Sequence, residues 1–178
     1  MKKITVKSFS EFLAESDGFG TSPFLMRKEK DMTNYFFILE DDEKNQRGFR
    51  LCIGKYSDHE PIPGSKNSYC VLNMNEMSPE LIQDIAVEKT EIPQLNSEEF
   101  EVSEDQLVRL FKLVSQCVLD YLEFNPKIVK MYDEIQDNLV YKGEGKYLEF
   151  MNSIFKSYVG EDWSMQEGSH KNQIFVNR

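Results

Sequence analysis

The sequence predicts an α+β fold, a mainly antiparallel sheet packed by helices, and three observations predict it. Runs rich in aromatic and branched residues at 34–40 and 68–73, and the alternation of Phe49, Leu51 and Ile53 with Arg50 and Cys52, are the marks of strands. An apolar stripe at three- and four-residue spacing then runs from Leu107 to Leu122, the pattern of a long amphipathic helix. After Pro126 a strand-like run, a second amphipathic stretch and two short β-rich runs suggest a strand–helix–hairpin unit. Strands grouped first and helices clustered later favour α+β over an alternating parallel architecture.

Taken in order, residues 3–7 read as a short strand and 10–15 as a helix. The stretch 17–31, with Gly18, Gly20, Pro23 and mixed charges, reads as a loop. Residues 34–40 (Asn-Tyr-Phe-Phe-Ile-Leu-Glu) make a strong strand, 41–46 a polar turn, and Phe49, Leu51 and Ile53 a strand with one buried face. A Pro- and Gly-containing loop at 58–67 leads to 68–73, which closes a three-stranded antiparallel meander. Ser78 before Pro79 and Glu80 marks a helix start, because proline at the first helical position gives up a hydrogen bond the helix cannot make there. Ser103 and Gln106 have capping-box spacing and open the long helix of Leu107, Leu110, Phe111, Val114, Cys117, Val118, Tyr121 and Leu122, which Pro126 stops. Residues 127–132 read as a strand, 139–141 as a short strand or an irregular packed segment, and 147–158 as a helix. Residues 163–166 and 173–176 flank a polar Gly168-Ser169-His170 turn as a terminal hairpin.

A length of 178 residues fits one domain over 1–178. It divides into a sheet-rich part at 1–75, an acidic helix and linker at 76–105, and a helix–strand–helix–hairpin part at 106–178. Charge follows the same division. Residues 1–75 are neutral overall, 76–105 carry ten acids against Lys89 alone, and 106–178 add a net −1 to reach −10. A field this acidic argues against direct nucleic-acid binding, which needs clustered Lys and Arg, and against attraction to anionic membranes. No apolar run reaches membrane-spanning length and the first residues lack the apolar core of a signal peptide. Cys52, Cys70 and Cys117 are odd in number and widely spaced, which suits reduced thiols; the expected setting is cytoplasmic.

The element order β-α-βββ-α-α-β-α-ββ resembles the acetyltransferase fold of the GNAT superfamily, over most of the chain. That resemblance implies acetyl-CoA chemistry and a pocket between parallel strands splayed near residues 69–73 and 127–132. The family's Gln/Arg-x-x-Gly-x-Gly/Ala pyrophosphate turn would fall at Asn73-Met74-Asn75-Glu76-Met77-Ser78-Pro79-Glu80. This stretch has no glycine, Pro79 removes one amide donor, and Glu76 and Glu80 repel phosphate. Phe155 and Tyr158 before Gly160-Glu161 do not match the register of the family's late tyrosine.

Other motifs are incomplete. Gly143-Glu144-Gly145-Lys146 lacks the spacing and the Ser/Thr of a phosphate loop. Asp58-His59-Glu60 places metal-type ligands side by side in a Pro-rich loop, and the only other histidine is His170. Asp41-Asp42-Glu43 lacks the alternation of a calcium loop, and Cys117 falls on the apolar stripe as a core residue. The reading is therefore of a non-catalytic protein with no cofactor and no metal.

Within the acidic window, Glu80, Glu104 and Asp105 sit in first helical turns, where negative charge is favoured. Glu76, Asp84, Glu88 and Glu91 suit the solvent face of the short helix. Glu98, Glu99 and Glu101 flank Phe100 in the linker 92–102 and have no such explanation. Two readings stand: an acidic solubilising face, or a docking surface for a basic protein partner made by Leu95, Glu98, Glu99, Phe100, Glu101 and Glu104, with Phe100 or Leu95 as apolar anchor. In size and composition the chain resembles small accessory proteins of phages and mobile elements, including inhibitors, antitoxins and immunity proteins. The alternative function is a diverged GNAT-like acyltransferase.

Overall fold

The computed structural model describes residues 24–29, 32–40, 45–54, 69–128, 130–141, 149, 152, 153 and 156, and the backbone of 163–166 and 172–176. The strand expected at 3–7, the helix at 10–15, the Asp41-Asp42-Glu43 and 168–170 turns, Asp58-His59-Glu60 and Gly143–Lys146 lie outside the described residues. Of the helix expected at 147–158, the four described positions are helical.

The fold is α+β, with the mainly antiparallel sheet that the sequence predicts. Seven strands form it: β1 (Leu25–Lys28), β2 (Met32–Glu40), β3 (Gln46–Gly54), β4 (Tyr69–Met77), β6 (Lys130–Asp133), β8 (Trp163–Gln166) and β9 (Asn172–Val176). Their spatial order is β1-β2-β3-β4-β6-β9-β8. The meander β2-β3-β4 is antiparallel throughout, and β9 pairs antiparallel with both β6 and β8. At the centre β4 and β6 run parallel, from Tyr69 opposite Lys130 to Leu72 opposite Asp133. A separate two-stranded parallel pair joins β5 (Phe100–Val102) to β7 (Leu139–Tyr141).

Two expectations change. Residues 25–28, inside the stretch read as a loop, form edge strand β1, whose short length hides its period. The linker at 92–102 ends in strand β5, so it is not irregular throughout.

Alternation along the strands gives the sheet two buried faces. Tyr35 and Phe37 of β2, Phe49, Leu51 and Ile53 of β3, and Leu72 and Met74 of β4 share one face through their cross-strand register. Helix α2 (Glu104–Phe124) lies on this face and buries the whole predicted stripe, Leu107 to Leu122, with Ser115. The hydroxyl of Tyr35 donates to Asp120 Oδ2 at 2.8 Å and fixes the helix against β2. Burial, reinforced by that carboxylate, pushes the Tyr35 hydroxyl pKa far above its usual range, so it remains a donor.

The opposite face carries Leu25, Asn34, Phe36, Gly48, Arg50, Asn75 and Met77, and is covered by α1 (Pro79–Ala86). Contact there is close: a Cβ on Gly48 would lie 2.6 Å from both Ile82 Cδ1 and the Met77 carbonyl oxygen. Ser78 caps α1 by accepting from the Leu81 amide. Among the described residues no helix is long and apolar enough to cross a membrane.

Candidate functional site: an acidic groove at the β4–α1 corner

β3 begins and β4 ends at the same end of the sheet, with Gly48 opposite Met77. That register brings Arg47 and Glu76, far apart in sequence, into a bidentate ion pair at 2.8 and 3.0 Å. The third guanidinium nitrogen donates to Gln106 Oε1, the oxygen that also accepts from the Ser103 amide in the capping box. Arg47 further lies over the Phe49 ring, 5.3 Å from its centroid. Planar, forked and stacked, such an arginine is held in one geometry.

From this corner opens a groove of about 320 Å³ lined by Arg47, Glu76, Ser78, Pro79, Glu98, Glu99 and their neighbours. Residues 91–99, which supply Glu98 and Glu99, are tied down by polar contacts from Arg50 of β3 and from Asn138, which follows the 3-10 helix. Arg50 Nη1 donates to the Pro93 carbonyl at 2.7 Å and Asn138 Nδ2 to the Asn96 carbonyl at 3.4 Å. Asn96 Oδ1 then accepts from the Glu98 amide at 3.1 Å. Glu76 is matched by Arg47, whereas Glu98 and Glu99 have no ion-pair partner among the described residues. The groove thus presents surplus carboxylate at a held position, which suits a lysine or arginine side chain.

The sequence-derived site residues fall in different places. Glu98 and Glu99 line the groove; Leu95 is exposed on the same segment but does not line it. Glu101 is exposed on β5 and Glu104 begins α2. Phe100 is a correction. It is 4 % exposed, and its ring meets Phe49 edge-on at 5.6 Å, so it belongs to the core and cannot anchor a partner. Glu76 is likewise on β4, not on the short helix. Arg47 and Glu76 were missed as site residues because only the β3–β4 register brings them together.

Past Leu72 the parallel strands separate. β4 continues to Met77, while the chain after Asp133 turns into a 3-10 helix (Ile135–Asp137), with Asp133 Oδ1 accepting from the Ile135 amide. Asn138 stands in this opening. Its Nδ2 donates to the Met74 carbonyl at 3.0 Å, and its own carbonyl accepts from the Phe100 amide at 2.8 Å. Cys52, Cys70 and Cys117 are buried free thiols whose pKa values burial raises, with Cys52 pushed up to about 11. They are protonated core groups, not activated nucleophiles. Among the described residues no cluster of three His, Cys, Asp or Glu could hold a metal ion. Comparison of the chain with protein-family models, with curated proteins and with solved structures finds no match.

Proposed function

We propose that this chain is a non-catalytic, cytoplasmic accessory protein that docks a basic protein partner in the β4–α1 groove. The observation that carries the reading is the pair Glu98 and Glu99, without counter-ions among the described residues, on a segment held by Arg50 and Asn138. A pre-positioned carboxylate wall loses little freedom on binding and steers a cationic partner electrostatically. Small size and concentrated acidity favour the inhibitor, antitoxin or immunity kind found in phages and mobile elements. The partner is to be identified by affinity capture from the native host with mass spectrometry, then titrated calorimetrically in purified form. Glu98→Lys/Glu99→Lys should weaken its binding by about tenfold or more while leaving the far-ultraviolet circular dichroism unchanged. Equal affinity for the double variant rules the groove out as the docking site.

A second reading, a diverged GNAT-like acyltransferase, is favoured by the parallel pair within the large sheet at Tyr69–Leu72 and Lys130–Asp133, where that reading expects it. Against it stand Asn138 in the strand opening and carboxylates where a pyrophosphate would lie. Thermal shift with acetyl-CoA at about 1 mM discriminates: a saturable rise in melting temperature supports the enzyme, and none leaves the sheet as a scaffold.

A further inference from the structure

We propose that residues 87–99 form a strap latched to the sheet by Arg50, which opens and closes as a unit while the rest of the fold stays intact. The strap joins α1 to β5 and contains neither helix nor strand. Every residue in it is exposed except Ile92, which is half-buried and packs against the core.

The two ends of the strap are fastened by main chain. The amides of Val87, Glu88 and Lys89 donate to the carbonyls of Gln83, Ile85 and Asp84, and the Phe100 amide donates to that of Asn138. Between these ends, two hydrogen bonds join residues 90–99 to the rest of the described chain. Arg50 Nη1 donates to the Pro93 carbonyl at 2.7 Å, and Asn138 Nδ2 to the Asn96 carbonyl at 3.4 Å. The second bond is long and weak, so Arg50 and Ile92 carry the closure. Glu88, at φ 58°, stands in the left-handed region that side-chain-bearing residues rarely adopt and marks the hinge at the α1 end.

The groups at the latch favour release. Arg50 is 1 % exposed, and the oxygens it reaches, Asn34 Oδ1 and the Pro93 carbonyl, are neutral. The Glu29 carboxylate acts on it through charge alone, so the lost hydration of the guanidinium is only partly offset. Beside Arg50, the buried atoms Asn34 Nδ2 and Asn75 Oδ1 have no hydrogen-bond partner among the described residues. One is a donor and the other an acceptor, so water serves both once the strap lifts. Opening therefore gives up two hydrogen bonds and the burial of Ile92 and regains hydration of one cation and two carboxamides. These opposing contributions are of similar size, which makes the open strap a minor state close in free energy to the latched one. Glu98 and Glu99 ride on the strap, so the groove keeps its acidic wall only while Arg50 holds it; this consequence alone rests on the docking reading.

The test is native-state digestion of the full-length protein with a glutamate-specific endoproteinase, the products being mapped by mass spectrometry. Cutting the Glu91–Ile92 bond requires Ile92 to leave the core. Its rate, divided by that in a synthetic peptide of the matching residues 87–99, therefore reads the open fraction. Cleavage is expected in plain buffer, at a rate that barely changes with urea below the unfolding transition, because opening exposes little surface. Arg50→Met should raise the rate about tenfold or more, and Ile92→Ala about threefold or more. Ile92→Ala, at a half-buried position outside the sheet, decides the matter if Arg50→Met does not fold. Cleavage at Glu91 only in step with global unfolding, or at a rate that neither variant changes, overturns the proposal. Glu98→Lys/Glu99→Lys removes the groove wall without touching the latch and should leave the Glu91 rate unchanged, so a failed latch and a failed docking site are told apart.

Discussion

Arg47 and Arg50 lie three positions apart on β3 and face opposite sides of the sheet, so one strand supports two kinds of chemistry. Arg47 is held by Glu76 and Gln106 at the groove, whereas buried Arg50 donates to the neutral oxygens of Asn34 and Pro93, with the Glu29 carboxylate acting on it through charge alone. Burial lowers the pKa of Arg50. Cys52, two residues further along and on the same face, shows the effect of that environment on a neutral acid. Burial raises its thiol from 9.0 to about 11, against the opposing pull of Arg50. The unfolded chain loses this proton first, so between about pH 9 and 11 the folded state binds more protons and stability falls as pH rises. Urea midpoints measured across that window should decline, and Cys52→Ala should make the decline shallower. Phe100 marks the limit of reading residues alone. Surrounded by Glu98, Glu99 and Glu101, it looks like a surface anchor, yet Phe49 and the β7 pairing draw it inward.

Elements with a long, unmixed pattern were legible. The α2 stripe is buried throughout, and the Ser103–Gln106 capping box is present as the spacing predicts. Because Gln106 Oε1 also receives Arg47, the cap and the groove are one hydrogen-bonded unit. Replacing Ser103 with alanine should lower unfolding free energy by about 1 kcal/mol, measured by urea denaturation. β4 was legible only in part, because Asn73, Asn75 and Glu76 read as the end of a strand. They continue it because Asn75 faces a buried polar neighbour, Arg50, and Glu76 reaches Arg47. β1 escaped for the opposite reason, being too short to display a period and paired on one side by β2 alone.

At the scale of the whole molecule, the parallel pairing of β4 with β6 and the meeting of the large sheet with β5–β7 depend on contacts between residues distant in sequence. Hydropathy does not encode which strands neighbour one another, so the sequence supported an antiparallel meander directly and a central parallel pair only through resemblance. Asn138 is where the two sheets meet, bonding to Met74 of the large sheet, to Asn96 and, through its carbonyl, to Phe100. Asn138→Leu should cost about 1–3 kcal/mol, because it leaves buried carbonyl oxygen without a donor. Its effect is checked by thermal or urea unfolding. The strand order has a separate consequence for synthesis. β9 is made after β8 yet lies between it and β6. A nascent chain that has reached only β8 therefore offers β6 as an open edge in the middle of its sheet, a template for another strand. Until β9 arrives, the chain is most exposed to mispairing with its neighbours on the polysome, and the risk is set by the pace of translation rather than by the strength of the finished fold.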